Sequence, residues 1–422
     1  MTLTPLRRNR DFVLLQVGQA LSTIGSTSTQ IAYPLLILAI THSPAKAGIV
    51  GFASLGPYAL FGLLAGVAAD RWNRKRTMIV MDGVRVLAMS SIVVALALGE
   101  LTFPQVVIAA FCEGTAFVFF NLAELGALRS VVPRRQLPDA AAAEQARYAV
   151  ITLVGPPLGG ALFGIGRSVP FLADAVSYVF SIVSLLWMRT PFQEARERDT
   201  APLREQIREG IAWLWRQRYL RVSAFIFAGN NFVFQAIFLV FVVVAKRGGL
   251  TGATIGALIA TFGIAALVGS LVSPRAARLL SIRTIMLLNQ WLNGLFVLYL
   301  LWPSPYVLVA CVIPVAFVGP WLNAVVIGYR TAVTPDHLVG RVGSVARNIA
   351  LLAQPLGPLA AGLLLGSFSA RVTVLVLGAA CFALAAFSTV SPSIRRAPSL
   401  DELGPDELDE PATPAASPAA AG

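Results

Sequence analysis

The chain has 422 residues, of which 56% are hydrophobic and 13% charged, with a mean hydropathy of +0.73. A soluble domain carries about 25% charged residues, so the polar groups here cannot cover a water-facing surface, and soluble, disordered and fibrous classes are excluded in favour of a membrane protein with many spans. The net charge of +12 does not call for a nucleic-acid partner, because the charges follow the loops between apolar runs.

Arg7, Arg8 and Arg10 precede an apolar run from Phe12 to Ile40. That run far exceeds the ~7–15-residue core of a signal peptide, so it reads as a retained first transmembrane helix. A helix crossing a ~30 Å hydrocarbon core needs about 20 apolar residues. Twelve stretches qualify, near 12–40, 46–69, 77–99, 102–127, 140–165, 169–188, 219–245, 251–272, 284–302, 305–328, 342–366 and 371–390. The expected fold is all-α, with six spans in 1–188, a cytoplasmic linker over 189–218, six spans in 219–396 and a disordered acidic, proline-rich tail over 397–422.

Lys and Arg distribution sets orientation. With the N-terminus placed in the cytoplasm, 25 basic residues fall on cytoplasmic segments and 5 on the opposite side (Lys46, Arg167, Lys246, Arg247 and Arg371). Both termini are therefore expected inside, in a bacterial cytoplasmic membrane, and the basic loops suit anionic lipid. Within the linker, Thr200–Arg218 reads as an amphipathic helix with Ile207, Ile211, Leu214 and Trp215 on one face and Arg204, Glu205, Arg208 and Glu209 on the other, an interfacial pattern. Cys112, Cys311 and Cys381 lie singly in apolar runs, and His42 and His337 are far apart, so neither a disulfide framework nor a metal site is expected.

The halves repeat. Gly62–Thr77 aligns with Gly269–Thr284 without gaps, with Gly62/Gly269, Leu64/Leu271, Arg71/Arg278 and Arg76/Arg283 coinciding. Parallel repeats of six spans place a substrate site between the halves near mid-membrane, reached from alternate sides by rocking.

The loop between spans 2 and 3 contains Gly66, Asp70, Arg71, Arg74 and Lys75 in the spacing of the G-x-L-a-D-r-x-G-r-r/k motif. Together with twelve spans and the repeat, it resembles the major facilitator superfamily over residues 10–392. Asn73 replaces the second glycine of the motif, and Asn tolerates left-handed backbone, so the turn is expected to survive. Span 5 carries Gly155-Pro156-Pro157-Leu158-Gly159-Gly160, similar to the G-P-x-x-G-G core associated with drug/proton antiporters; its small residues allow close helix approach. The basic loop followed by Asp82 and Arg85, with Arg129 to Pro133 after span 4, resembles the macrolide- and enterobactin-exporter-like branch. Where other drug antiporters carry an Arg on span 4, Ala110 stands here. By resemblance, Asp70 acts as a conformational latch, and Gly66, Arg71, Arg74, Lys75 and the glycines and Pro156 of span 5 belong to the switching elements.

Ionisable groups within spans are costly and face a cavity or a partner. Glu113 lies mid-span 4, and Glu124 follows about 20° round the helix and roughly 16 Å along it, with Phe117 and Phe120 between them. This stripe must face protein or water. Glu113 is the expected proton site, against the alternative of a glutamate satisfied by a neighbour; Glu124 shares that assignment or pairs with Arg147 or Arg129. Asp82 and Arg85 are spaced to pair on one helix face. Spans 1, 4, 7 and 10 line the cavity in the superfamily, so Gln19, Gln30 and Tyr33 of span 1, Glu113 and Phe117, Asn230, Asn231 and Gln235 of span 7, Trp321 and Asn323 of span 10 and Gln354 of span 11 are the expected substrate contacts, against interhelical hydrogen bonding for any one of them. Amide and aromatic lining suits an amphipathic organic molecule.

No nucleophile–base pair or phosphate-binding G-x-x-x-x-G-K-[ST] loop is present, so neither an enzyme nor an ATP-driven pump is expected. The expected protein is a monomeric secondary exporter that needs no cofactor and is powered by the proton gradient; an importer or uniporter on the same fold, or a membrane receptor, are the alternatives.

Overall fold

The computed structural model describes residues 5–190, 192, 203–335 and 338–395. The tail assigned to 397–422, His337, and the side chains of Asp70, Arg129, Arg134 and Arg204 lie outside the described residues.

The N-terminal half contains α1 (Arg10–Thr41), α2 (Pro44–Arg71), α3 (Arg74–Leu98), α4 (Phe103–Val131), α5 (Leu137–Ile165) and α6 (Val169–Trp187). The linker contains α7 (Leu203–Arg216). The C-terminal half contains α8 (Arg218–Arg247), α9 (Gly252–Leu279), α10 (Ile282–Asn293), α11 (Pro305–Val333), α12 (Val339–Leu352), α13 (Leu356–Ser367) and α14 (Ala370–Val390). Among the described residues, ten helical segments are long and apolar enough to cross a bilayer, α12 and α13 counting as one. The 28-residue α2 and the helical run 282–300 complete a twelve-helix fold. Helices suit this setting because each satisfies its own backbone polar groups.

Local chemistry sets the helix ends. Asn9, Ser43, Thr251, Ser281 and Ser369 accept from backbone N–H groups in the first turns of α1, α2, α9, α10 and α14. Proline occupies the first turn of α2, α4, α5, α6 and α11, where its missing N–H costs nothing. Gly99 ends α3 with φ 74°, the left-handed geometry that a residue without Cβ adopts freely.

The structure corrects three expectations. Asn73 is not left-handed: it has φ −67° and ψ 108° and caps α3, its side chain accepting from Arg76 N at 3.0 Å. Asn replaces Gly here because capping, rather than positive φ, is what the position uses. Asn73→Ala is therefore expected to cost about 1 kcal/mol, read as a lower unfolding midpoint of the purified protein. Span 9 is α-helical only to Asn293, after which Gly294–Leu300 forms a 3-10 helix. The Asn293 amide donates to the Asn289 carbonyl at 2.8 Å, competing with the backbone ladder, and Gly294 does nothing to prolong it. Span 11 breaks between Leu352 and Leu356, where Pro355 lacks an N–H donor. By contrast α5 runs unbroken through Pro156 and Pro157.

Burial shows how the halves meet. At the end of the molecule away from the linker, one continuous core joins Ile31–Leu38 of α1, Val50 of α2 and Leu239–Ala245 of α8 with Ile255 and Ile259 of α9. At the linker end there are two separate cores. One, around Phe12, Met78 and Phe120, belongs to the N-terminal half, and the other, around Tyr219, Met286 and Val326, to the C-terminal half. The halves are thus sealed together at the far end and packed independently at the linker end. The seal is built on α5 against α9 and α2 against α13. Gly160 lies on the Gly252 carbonyl, Gly256 on that of Pro156, and Gly48 on that of Pro358, each so close that a Cβ would collide with backbone.

Helix α7 docks on the C-terminal half. Leu214 is fully buried, Gly210 lies against the Arg341 backbone, and Glu209 pairs with Arg341 of α12. Ile211 and Trp215 stay exposed, Trp215 edge-on to Phe225, as an interfacial helix requires.

Candidate functional site

A cavity of about 680 Å³ opens at the linker end along the C-terminal half, within the range of about 300–1,000 Å³ that holds a drug-sized molecule. Its wall comes from α8, α10, α11 and α12, with Leu214 of α7. Asn230, Asn231, Asn289, Asn293 and Asn323 supply amides to it. Asn230 Nδ2 donates to Asn289 Oδ1 at 3.4 Å, and Asn231 Nδ2 donates to the Ala350 carbonyl at 2.9 Å. Phe227, Phe234, Leu322 and Val326 supply apolar surface, and Arg330 and Arg347 the charge. Among the described residues, the wall contains no carboxylate.

The acids lie elsewhere, inside the N-terminal half. Arg85 of α3 is buried and pairs with Asp82 at 3.1 Å. Its guanidinium carbon sits 4.9 Å, 5.0 Å and 5.3 Å from the ring centres of Tyr178, Phe120 and Phe117. Its Nε and Nη2 have no hydrogen-bond partner; ring faces hold the cation instead. The Tyr178 hydroxyl donates to Glu113 Oε1 at 3.4 Å and lies 2.9 Å from Ser26 Oγ. One turn before Tyr178 on α6, Asp174 accepts from Thr29 at 2.7 Å and from Ser177 at 3.3 Å. Tyr33 and Cys112 complete the titratable surroundings. Three carboxyl groups, Asp82, Glu113 and Asp174, therefore share one buried guanidinium. Asp174, an acid within an apolar span, was expected at the outer end of the cavity rather than in this cluster, and Tyr178 was not an expected site residue; an acid in a span does not say which helix it faces.

The stripe on α4 faces protein, as its two acids require. Glu113 joins the Arg85 cluster and Glu124 pairs with Arg147 of α5 at 3.0 Å. Of the other expected contacts, Asn230, Asn231 and Asn323 share the cavity wall. Gln30 is exposed on α1. Gln19 is buried and donates to Ser181 Oγ at 3.1 Å, which places it in the α1–α6 interface. Tyr33 is buried in the far-end seal, edge-on to Phe171 at 5.3 Å. Gln235 lies at the α8–α13 contact beside Gly357, and Gln354 falls in the break between α12 and α13. Trp321 is buried and donates from Nε1 to the Gly269 carbonyl at 2.8 Å, joining α11 to α9.

The loop motif has visible structural work. Arg74 donates to the carbonyls of Gly126 and Phe192 at 3.3 Å and 3.2 Å, and Lys75 to that of Met188 at 2.7 Å. These cations satisfy helix-end carbonyls of α4 and the segment after α6. Arg71 is exposed, and Gly66 has open space where a Cβ would stand. Gly155 and Gly159 press on Thr27 and Ser28 of α1, so the span-5 motif serves α1 with one face and α9, through Pro156 and Gly160, with the other. Asp11, a single acid at the start of an apolar run and not an expected site residue, accepts from Arg189 N at 3.1 Å and Thr190 N at 2.7 Å and ties the start of α1 to the segment after α6.

The chain is 26% identical over 383 residues to the multidrug efflux pump Tap of Mycolicibacterium fortuitum, covering 88% of this chain and 93% of that protein. It is 28% identical over 229 residues to macrolide efflux protein A of Streptococcus pyogenes, covering 53% of this chain and 55% of that protein. Among solved structures, a bacterial homologue of the human lysosomal transporter Spinster, in an inward-facing and unoccupied conformation, superposes with a TM-score of 0.73 at 15% identity, covering 93% of this chain and 98% of that one, and so shares the fold. Residues 1–416 match the family model of transmembrane secretion effectors. With its twelve helices, two bundles and a loop motif that caps helix ends, the chain belongs to the transmembrane secretion effector family of the major facilitator superfamily.

Proposed function

We propose that this transporter exports small amphipathic organic compounds from the bacterial cytoplasm in exchange for protons, by alternating access, with both termini cytoplasmic. The names of its relatives point to efflux, and the distribution of basic residues points to the linker end as the cytoplasmic one. On that orientation the described state is open to the cytoplasm and sealed outside.

The observation that carries proton coupling is the chain Glu113–Tyr178–Ser26. It leads from buried acids to α1, where Ser26 is half-buried and Gln30, one turn on, is exposed. Buried charge must be compensated. Asp82 already neutralises Arg85, so the cluster is neutral when Glu113 and Asp174 each hold a proton. In the cytoplasm-open state a proton leaves Glu113 by way of Tyr178 and Ser26, substrate binds on the opposite wall, and the halves rock. Outside, substrate leaves and the acids are reprotonated.

The test uses everted membrane vesicles with a proton gradient reported by a pH-sensitive dye and a panel of amphipathic drugs and siderophores. Wild type is expected to dissipate the gradient when a transported compound is added, and Glu113→Gln to lose at least about 90% of that response, a barrier change of about 1.4 kcal/mol or more. A response retained in the variant removes Glu113 from the role. Compound equilibration without any gradient response overturns proton coupling itself.

A further inference from the structure

We infer that the cavity selects amphipathic organic anions: molecules whose carboxylate or phenolate head is held by Arg330 and Arg347 while an apolar body lies along Phe227, Phe234 and Val315. This rests on the cavity being the substrate site of the exporter described above.

Arg330 stands near the end of α11 and is half-buried; Arg347 projects from α12. Neither has an acidic partner: among the described residues the ion pairs engage Arg85, Arg147 and Arg341, and Glu209 is taken by Arg341. The two guanidinium groups also repel one another. Membrane topology alone explains a cation at the end of α11. It does not explain Arg347, eight residues and about 12 Å beyond the start of α12, facing into the same cavity. The half-buried Arg330 and the exposed Arg347 are like charges on one cavity wall, a pair that an anion placed between them stabilises, and guanidinium groups bind carboxylates with directed, charge-assisted hydrogen bonds.

The rest of the wall fits this occupant and opposes a cation. Asparagine amides bind the polar groups of a ligand of either charge, but a lipophilic cation needs a carboxylate counter-charge. Among the described residues, the buried acids Asp11, Asp82, Glu113, Glu124 and Asp174 all lie in the N-terminal half, off the cavity wall. Substrate recognition and proton handling are thus assigned to different halves. An exported anion also moves down the electrical gradient of an inside-negative membrane, so the potential assists both limbs of the exchange.

The experiment uses two dyes with the same xanthene skeleton and opposite charge, fluorescein and rhodamine 6G. Their binding to the full chain in phosphatidylcholine nanodiscs, where anionic lipid does not compete, is followed by fluorescence anisotropy with no gradient imposed. Wild type is expected to bind fluorescein at least about tenfold tighter than rhodamine 6G, and Arg330→Gln and Arg347→Gln each to weaken fluorescein about tenfold. Arg347→Lys keeps the charge and loses the planar fork, so it is expected to weaken fluorescein less than Arg347→Gln, which separates lost charge from lost folding. Rhodamine 6G binding as tightly as fluorescein in wild type overturns the inference, as does fluorescein binding that is unchanged in Arg347→Gln. Because binding is read without a gradient, anion binding without gradient dissipation in the vesicle assay would sink the proton-coupled exporter reading alone. Compound-driven gradient dissipation without anion preference would sink this inference alone.

Discussion

Arg85→Ala is expected to destabilise the N-terminal half by about 3–5 kcal/mol, the cost of leaving one partner of a buried ion pair without the other. Arg85 is 2% exposed and Asp82 fully buried, at 3.1 Å. Removing the guanidinium strands the buried Asp82 carboxylate and empties a cage formed by three rings. Arg85→Lys keeps the charge and loses the planar stacking on the rings, so a smaller loss of about 1–2 kcal/mol is expected. The double change Asp82→Asn with Arg85→Gln removes both charges and is expected to recover part of the loss. Thermal unfolding of the purified protein, followed by the reactivity of half-buried Cys112 on the adjacent α4, reads all three. An Arg85→Ala protein that unfolds at the wild-type temperature would show that the pair contributes nothing, and with it the charge accounting around Glu113 would fall.

The second large effect concerns the seal. Gly160→Val is expected to cut export by at least about tenfold, equivalent to about 1.4 kcal/mol. The Gly160 backbone rests on Gly252, and an added Cβ meets the Gly252 carbonyl oxygen and carbon at less than van der Waals separation. Backbone cannot step aside as a flexible side chain does, so α5 and α9 must part. The state closed at the far end is then lost and the equilibrium shifts toward the one open there. Ile37 is fully buried in the far-end core, so an Ile37→Cys reporter is expected to react slowly with an impermeant maleimide in the wild-type background and rapidly with Gly160→Val. Gly164→Ala on the same helix meets nothing within 4 Å and is the control. Slow labelling in both backgrounds would show that the seal survives a larger residue and that this contact is not the gate.

The all-helical, twelve-helix fold was readable in the sequence, because span hydropathy is a property of short stretches taken alone. The inward direction of the α4 stripe was readable too, since two acids on one face cannot both lie in lipid. The pairing of Asp82 with Arg85 followed from their spacing on one helix. What escaped were matters of neighbourhood. Gln19, Tyr33 and Trp321 have the same polar or aromatic character as Asn230 and Asn323, yet they are buried between helices while the asparagines line the cavity. Arg330 counted only as a cytoplasmic loop charge, and Arg347 only as a cation near a cytoplasmic span end, until α11 and α12 were seen to share a wall.

The sequence alone determined that this chain is a membrane protein of two six-helix halves, with its basic loops mostly on one side. Only the tertiary structure decided that acids and cavity occupy different halves, that Arg85 binds three rings, and that the far end is closed. Composition and spacing fix which face of a helix is polar, but not the helix it meets. That choice depends on rotation and close approach, which glycine contacts such as Gly160 on Gly252 set pair by pair.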